Sequence, residues 1–233
     1  MKMKRKKRHF SVDGYDIVVF DCDSVLTKIE GIDHLAKKYG KEKEILRLTK
    51  MAMEGKIDFE KIFPERLNLI KPKRKDLDWL AEEYIKYQLE DAKEVIKILQ
   101  SFEKRVFIVT GSYQRAVEKF AFYLGIPREN VFAVDLKFGK SEDYLGFNDK
   151  NPLVKNKGKK KILEKLARLG KVLFVGDGVT DLEAKEAVDL FVGFGGVVAR
   201  EIVQKKSDIF INIPSLKPII TLALGFKGRS LRT

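Results

Sequence analysis

The chain has 233 residues, one to two domains at roughly 150 residues each. Hydrophobic residues make up 44%, charged residues 35%, and there are only six prolines, so it can bury a real core and fold. A single cysteine, Cys22, excludes an intramolecular disulfide and a cysteine-based zinc site, and His9 and His34 are too few and too far apart for a histidine-rich metal centre.

The net charge of +13 is concentrated in three runs, residues 1–10, Lys71–Lys75 and Lys155–Lys161, and the rest of the chain is slightly acidic. That is not a uniformly basic nucleic-acid binder. Residues 1–14 read as a basic arm whose ordinary role is a solvated terminus. Aromatics do not interleave with the basic runs, so no stacking platform for single strands is expected. No apolar run approaches the roughly 20 residues of a membrane span, and the run behind the basic arm is too short for a signal peptide. A cytoplasmic protein without membrane contact is the expectation.

Ile17-Val18-Val19-Phe20 reads as a short buried strand, followed directly by Asp21-Cys22-Asp23-Ser24. From Ile32 to about Leu99 the apolar spacing is helical, with Pro64 and Pro72 expected to break the block into short helices. Arg105–Thr110 is the next strand. A helix over Gln114–Leu124 follows, closed by Gly125. Val131–Val134 is a third strand, and Leu136–Phe138 with Tyr144–Phe147 a small hairpin. A helix over about Lys159–Leu169 precedes strand Val172–Val175 and Gly176-Asp177-Gly178. A helix over Asp181–Ala187 and strands Leu190–Val192 and Ile209–Ile211 complete the pattern. Alternating strands and helices with apolar strands predict an α/β fold, a doubly wound, mostly parallel sheet. The helical block is inserted after the first strand: the core takes residues 15–28 and 90–233, the helical cap residues 29–89.

In such sheets ligands bind beyond the carboxyl ends of the strands. Three acidic or hydroxyl-bearing turns fall there: Asp21 with Asp23, Thr110-Gly111-Ser112, and Gly176–Asp181 (GDGVTD). A lysine cluster opens the preceding helix. Converging carboxylates call for a hard cation such as Mg²⁺. A hydroxyl, free backbone N–H groups and a lysine suit phosphate oxygens. Together they describe phosphoryl transfer. Each turn alone is commonplace; the ordered set on strand ends is specific.

These residues carry a resemblance. Phe20–Leu26 (FDCDSVL), Thr110-Gly111-Ser112 and Gly176–Asp181 resemble motifs of the haloacid dehalogenase superfamily. Glu30–Asp33, Ala52-Met53, Glu65–Leu67, Leu136–Phe138 and Gly193–Gly196 are similar, in order and spacing, to its phosphoserine phosphatase family, over about residues 15 to 213. The resemblance implies Asp21 as nucleophile and Asp23 as general acid and then base. It implies Mg²⁺ held by Asp21, the Asp23 carbonyl and Asp177, with Asp181 supporting the metal shell. Thr110 and the Gly111 N–H would hold the phosphoryl group, with Ser112 and Thr180 beside the substrate. Glu30 would bind the substrate ammonium, Arg66 its carboxylate, and Met53 would pack nearby, the partner being a small phosphate ester such as phosphoserine. The phosphate-neutralising lysine is Lys157 or Lys159; helical phase, with Ile162, Leu163 and Leu166 following, favours Lys159.

The chain departs from the family pattern at Thr110 (usually Ser), Ser112 (usually Gly), Glu54 (usually Gly) and Asp91-Ala92 (usually Pro-Gly). The last should matter little. His34 reads as a helix-surface residue without an acid–base partner, and Cys22 as a small core hydrophobe. The sequence leaves the oligomeric state open between monomer and homodimer.

Overall fold

The computed structural model describes residues 13–54 and 56–225, with Met53 defined in its backbone only. Most of the basic arm, and the Met53 side chain, therefore lie outside the described residues. Among them no helix is long and apolar enough to cross a membrane.

Strand β1 (Ile17–Phe20) is buried along its whole length, as its four apolar, mostly β-branched residues require for a strand covered on both faces. It lies inside a six-stranded parallel sheet with β2 (Arg105–Tyr113), β3 (Val131–Val134), β6 (Val172–Gly176), β7 (Leu190–Phe194) and β8 (Ile209–Ile211), in the order β3-β2-β1-β6-β7-β8. Phe20 pairs with Ile108 on one side and Val175 on the other, and Val175 with Val192. The strand ends are thus level, and the order reverses at β1, where an open sheet has its binding crevice.

β2 runs three residues beyond the expected end. Its register with β3 is irregular between Val109 and Tyr113, and Tyr113 re-pairs with Val134. The break frees Thr110-Gly111-Ser112 from regular pairing just where they meet the crevice. The hairpin forms as β4 (Leu136–Phe138) and β5 (Tyr144–Phe147), a separate antiparallel ribbon.

The inserted block folds as α1 (Gly31–Lys38), α2 (Glu42–Met53), α3 (Phe59–Ile70) and α4 (Arg74–Lys86), followed by α5 (Ala92–Ser101). Pro72 falls between helices as expected, but Pro64 breaks nothing: it sits inside α3. Its missing N–H forfeits one bond to the Glu60 carbonyl, and Glu60 is exposed to water. The buried stripe Phe59, Ile62, Phe63, Leu67 and Ile70 outweighs that loss. Helix α4 packs on α6 (Gln114–Leu124), where Arg115 and Lys119 both meet Asp78.

α7 (Gly158–Leu166) precedes β6 and ends before the expected Leu169, which is exposed. The helix expected over Asp181–Ala187 is two pieces, α8 (Val179–Leu182) and a 3-10 turn at Lys185–Ala187. It starts earlier because the Asp181 carboxylate accepts the N–H groups of Asp177 and Gly178 and so caps the turn. α9 (Glu201–Lys206) lies between β7 and β8.

At the C-terminus α10 (Lys217–Leu224) packs on α5. Asp91, just before α5, ties the two helices together. Its carboxylate accepts the Ser215 hydroxyl at 2.5 Å and the Leu216 N–H at 3.0 Å, placing negative charge at the start of α10.

Candidate active site

Asp21 emerges from β1 into the crevice. Its N–H donates to the Val175 carbonyl at 2.9 Å, continuing the β1–β6 ladder by one rung. The chain then turns tightly: the N–H groups of Val25, Leu26 and Thr27 converge on the Cys22 carbonyl, and Ser24 takes a left-handed φ of 56°. Cys22 is fully buried, and burial pushes its thiol pKa well up, so it is an inert core residue.

Lys159, from the first turn of α7, reaches under this loop. Its Nζ lies 2.8 Å from Asp21 Oδ2 and 2.6 Å from Asp181 Oδ1, with only 6% of the residue exposed. Burial alone would lower the lysine pKa, but the carboxylates of Asp181 and Asp21 outweigh it and hold the amine charged. Lys157 points elsewhere: it caps α7 in a left-handed conformation, and its N–H donates to Glu183 Oε2. Of the two lysines, Lys159 lines the cavity beside Asp21, and Lys157 is exposed.

Asp177 and Asp181 end β6 and open α8. With Asp21 they form a buried triad, each offering a carboxylate oxygen within 4.8 Å of the others. Burial raises the pKa of Asp177 strongly and that of Asp181 to about 6, the latter against the pull of Lys159. Three buried acids so close cannot all ionise without positive charge. A donor set of carboxylate oxygens fits a hard divalent cation. Both Asp181 oxygens are engaged, by Lys159 and by backbone N–H groups, so Asp181 shapes the cluster.

Asp23 projects from the same loop. Its Oδ2 accepts the Gly31 N–H at 3.0 Å, while the buried Oδ1 has no hydrogen-bond partner among the described residues. Burial, reinforced by the Glu30 charge, raises its pKa well above the usual range and favours the protonated form.

Thr110 is buried, and its Oγ1 accepts the Ser112 N–H at 3.2 Å. A Cβ on Gly111 would come within 3.1 Å of the Phe59 ring of α3, so α3 meets the end of β2 over this turn. Asp21, Asp23, Glu30, Arg66, Thr110 and Lys159 line one partly open cavity, whose wall also includes Gly111, Ser112 and Thr180. It measures about 40 Å³, room for a few waters. A separate, larger groove runs outside it between α1, α2 and the loop before α9. Glu54 lines that outer groove, ion-paired to Lys56 at 2.7 Å, and adds no carboxylate to the inner cavity.

Several functional neighbours escape sequence reasoning. Arg200, just before α9, contacts the Asp177 carboxylate, donates to the Asp177 carbonyl at 3.2 Å and lies 3.5 Å from Glu30 Oε1. Only its nearness to Gly193–Gly196 marks it in sequence. Glu30 is further oriented by the Ser24 hydroxyl, which donates to Oε1 at 2.8 Å. Arg66 is buried, donates to Thr49 Oγ1 at 3.1 Å and stacks over Phe59, while the Thr49 hydroxyl donates to Asp33 Oδ1 at 2.6 Å. His34 is not a bare surface residue: its Nε2 lies 2.6 Å from Glu83 Oε2, and its ring stacks on Trp79. The acid partner is 49 positions away, too far for local spacing to reveal.

The level strand ends, the acidic turns and the buried lysine define a phosphoryl-handling hydrolase of the haloacid dehalogenase kind. The model of the haloacid dehalogenase-like hydrolases matches residues 15–189. Phosphoserine phosphatase of Bos taurus is 37% identical over 199 residues, covering 84% of this chain and 88% of that protein. That of Methanocaldococcus jannaschii is 32% identical over 227 residues, 94% of this chain and 98% of that protein. A solved structure described as a phospho-aspartyl intermediate analogue of phosphoserine phosphatase superposes with a TM-score of 0.76 at 31% identity, covering 89% of this chain and 98% of the other. The chain belongs to the phosphoserine phosphatase family of haloacid dehalogenase-like hydrolases and is a phosphatase.

Proposed function

We propose that the protein hydrolyses L-phosphoserine to serine and phosphate through a phosphoryl group carried on Asp21. The observation that carries this reading is one cavity that joins Asp21 and Lys159 to Glu30 and Arg66. The first pair serves phosphoryl chemistry, the second an amino-acid leaving group.

In this reading an Asp21 oxygen attacks phosphorus, forming the aspartyl-phosphate as the ester bond breaks. Asp23, held protonated, gives its proton to the departing serine oxygen and then takes one from the hydrolytic water. Lys159 and the Thr110-Gly111 turn bind the phosphoryl oxygens and oppose their developing charge. Arg66 grips the substrate carboxylate with its guanidinium fork, and Glu30 takes the ammonium. Mg²⁺ fits the Asp21/Asp177/Asp181 cluster; bound there with the Asp23 carbonyl, it would supply charge neutralisation at the phosphoryl group. Residues 29–89 act as the cap. Closing over the bound substrate, these residues would exclude water from the phosphoryl group.

The test is phosphate release from a panel of phosphomonoesters with Mg²⁺ and with EDTA, beside the Asp21→Asn variant. Metal-dependent release favouring L-phosphoserine and absent in the variant is expected. Preference for an ester without an α-carboxylate would overturn the roles of Glu30 and Arg66 but keep the chemistry.

A further inference from the structure

Beyond Thr110 the β2 turn ends in a serine where this family usually has glycine. The Ser112 hydroxyl is buried and lies 2.6 Å from the Tyr84 hydroxyl of α4. Tyr84 is itself fully buried, its ring against Phe120 of α6 at 5.7 Å, and the buried Oδ1 of Asp23 has no hydrogen-bond partner among the described residues. Gly31 closes the group: its N–H holds Asp23 Oδ2, and a Cβ there would come within 2.1 Å of Tyr84 Oη and 3.2 Å of Ser112 Oγ. One oxygen of Asp23 is thereby held by the same Gly31 against which both hydroxyls pack, and the other oxygen is left open to a donor.

We propose that Tyr84 and Ser112 are positioning residues for Asp23, a hydroxyl pair that holds its carboxyl in line with the leaving oxygen. This rests on the reading of Asp23 as the proton donor. In the first step the P–O(serine) bond breaks, the Asp21 O–P bond forms, and the Asp23 proton passes to the serine oxygen. The carboxylate left behind needs a donor. With Ser112 donating to Tyr84, the Tyr84 proton is free to turn to Asp23. The same contact then keeps the carboxylate aimed at the hydrolytic water.

Leaving groups separate this role from a structural one. Serine alkoxide needs a proton to depart; p-nitrophenolate does not. The experiment measures the pre-steady-state release of serine from phosphoserine and of p-nitrophenolate from p-nitrophenyl phosphate, for the Mg²⁺-loaded wild type, Tyr84→Phe, Ser112→Ala, the double variant and Asp23→Asn. Tyr84→Phe is expected to slow serine release by about tenfold or more while p-nitrophenolate release and the KM for phosphoserine stay within about twofold of wild type. Ser112→Ala should also slow serine release more than p-nitrophenolate release, by a smaller ratio, and the double variant should show no larger ratio than Tyr84→Phe because both act through one contact. If Asp23→Asn splits the two substrates and neither hydroxyl variant does, or if both releases fall together, the pair is structural and the inference is overturned. If Asp23→Asn itself shows no split, the proton-donor reading fails and takes this one with it.

Discussion

Lys159 shows how strongly one residue is set by its surroundings. It neutralises two buried carboxylates at once, and removing one partner of a buried ion pair costs on the order of 3–5 kcal/mol because the other charge stays unpaired. Lys159→Met should therefore lose phosphatase activity and also melt at lower temperature, a pair of effects that calorimetry beside an activity assay would read. Asp33 carries a pH signature. Burial raises its pKa from 3.8 to about 6, with the Thr49 hydroxyl pulling the other way. Between those values the folded state binds more protons at this site than the unfolded chain, so stability from this group is present at low pH and falls as pH rises. The size is on the order of 2–3 kcal/mol. Denaturant melts of wild type and Asp33→Asn from about pH 4 to 6.5 should converge at the acid end and diverge at the neutral end, with the variant the more stable there. An unchanged difference across that range would mean Asp33 is not held neutral by burial. Arg66 tests the cap chemistry: Arg66→Lys loses the bidentate fork and should raise KM for phosphoserine far more than it lowers kcat.

At the scale of elements, Asp91 ties the start of α5 to the start of α10. Asp91→Ala leaves the Leu216 N–H, a buried donor, and the Ser215 hydroxyl without this acceptor, at a cost of about 1–3 kcal/mol. The denaturation midpoint should fall while kcat/KM stays at the wild-type value, because the contact lies away from the inner cavity. A drop in activity without loss of stability would contradict this. Most elements were legible beforehand. The strands are legible because they are short apolar runs ending mostly in Gly, Asp or Thr turns, and the α6 stop because Gly125 takes a left-handed φ of 83° that glycine tolerates. Pro64 misled because proline's cost is local, one lost bond to a solvated carbonyl, whereas the gain from burying one side of α3 is spread over the whole helix. The early start of the helix expected over Asp181–Ala187 escaped for a related reason: the Asp181 side chain caps its own turn, a hydrogen bond that hydropathy does not encode.

For the whole molecule, charge and closure act together. The chain carries +13, and its proposed substrate is an anion, so long-range attraction raises the encounter rate and salt screens it. kcat/KM for phosphoserine should fall as ionic strength rises from about 0.02 to 0.5 M, where the screening length shrinks to a few ångströms, with kcat nearly unchanged; a flat kcat/KM would show that steering contributes nothing.

Short-range order was enough to read the strand sequence, the acidic turns at strand ends and the helical phase that puts Lys159 on the buried side of α7, and the order of those motifs along the chain was enough for the family. The turns and phases are properties of residues within a turn or two of one another. Tertiary structure alone decided the rest. It brought Arg200 to Asp177 and Glu30, Tyr84 to Ser112 across 28 positions, and Glu83 to His34 across 49. Those contacts depend on how α4 seats on α6 and how the loop before α9 crosses the crevice. Packing of whole elements fixes such distances, and no local period in the chain records them.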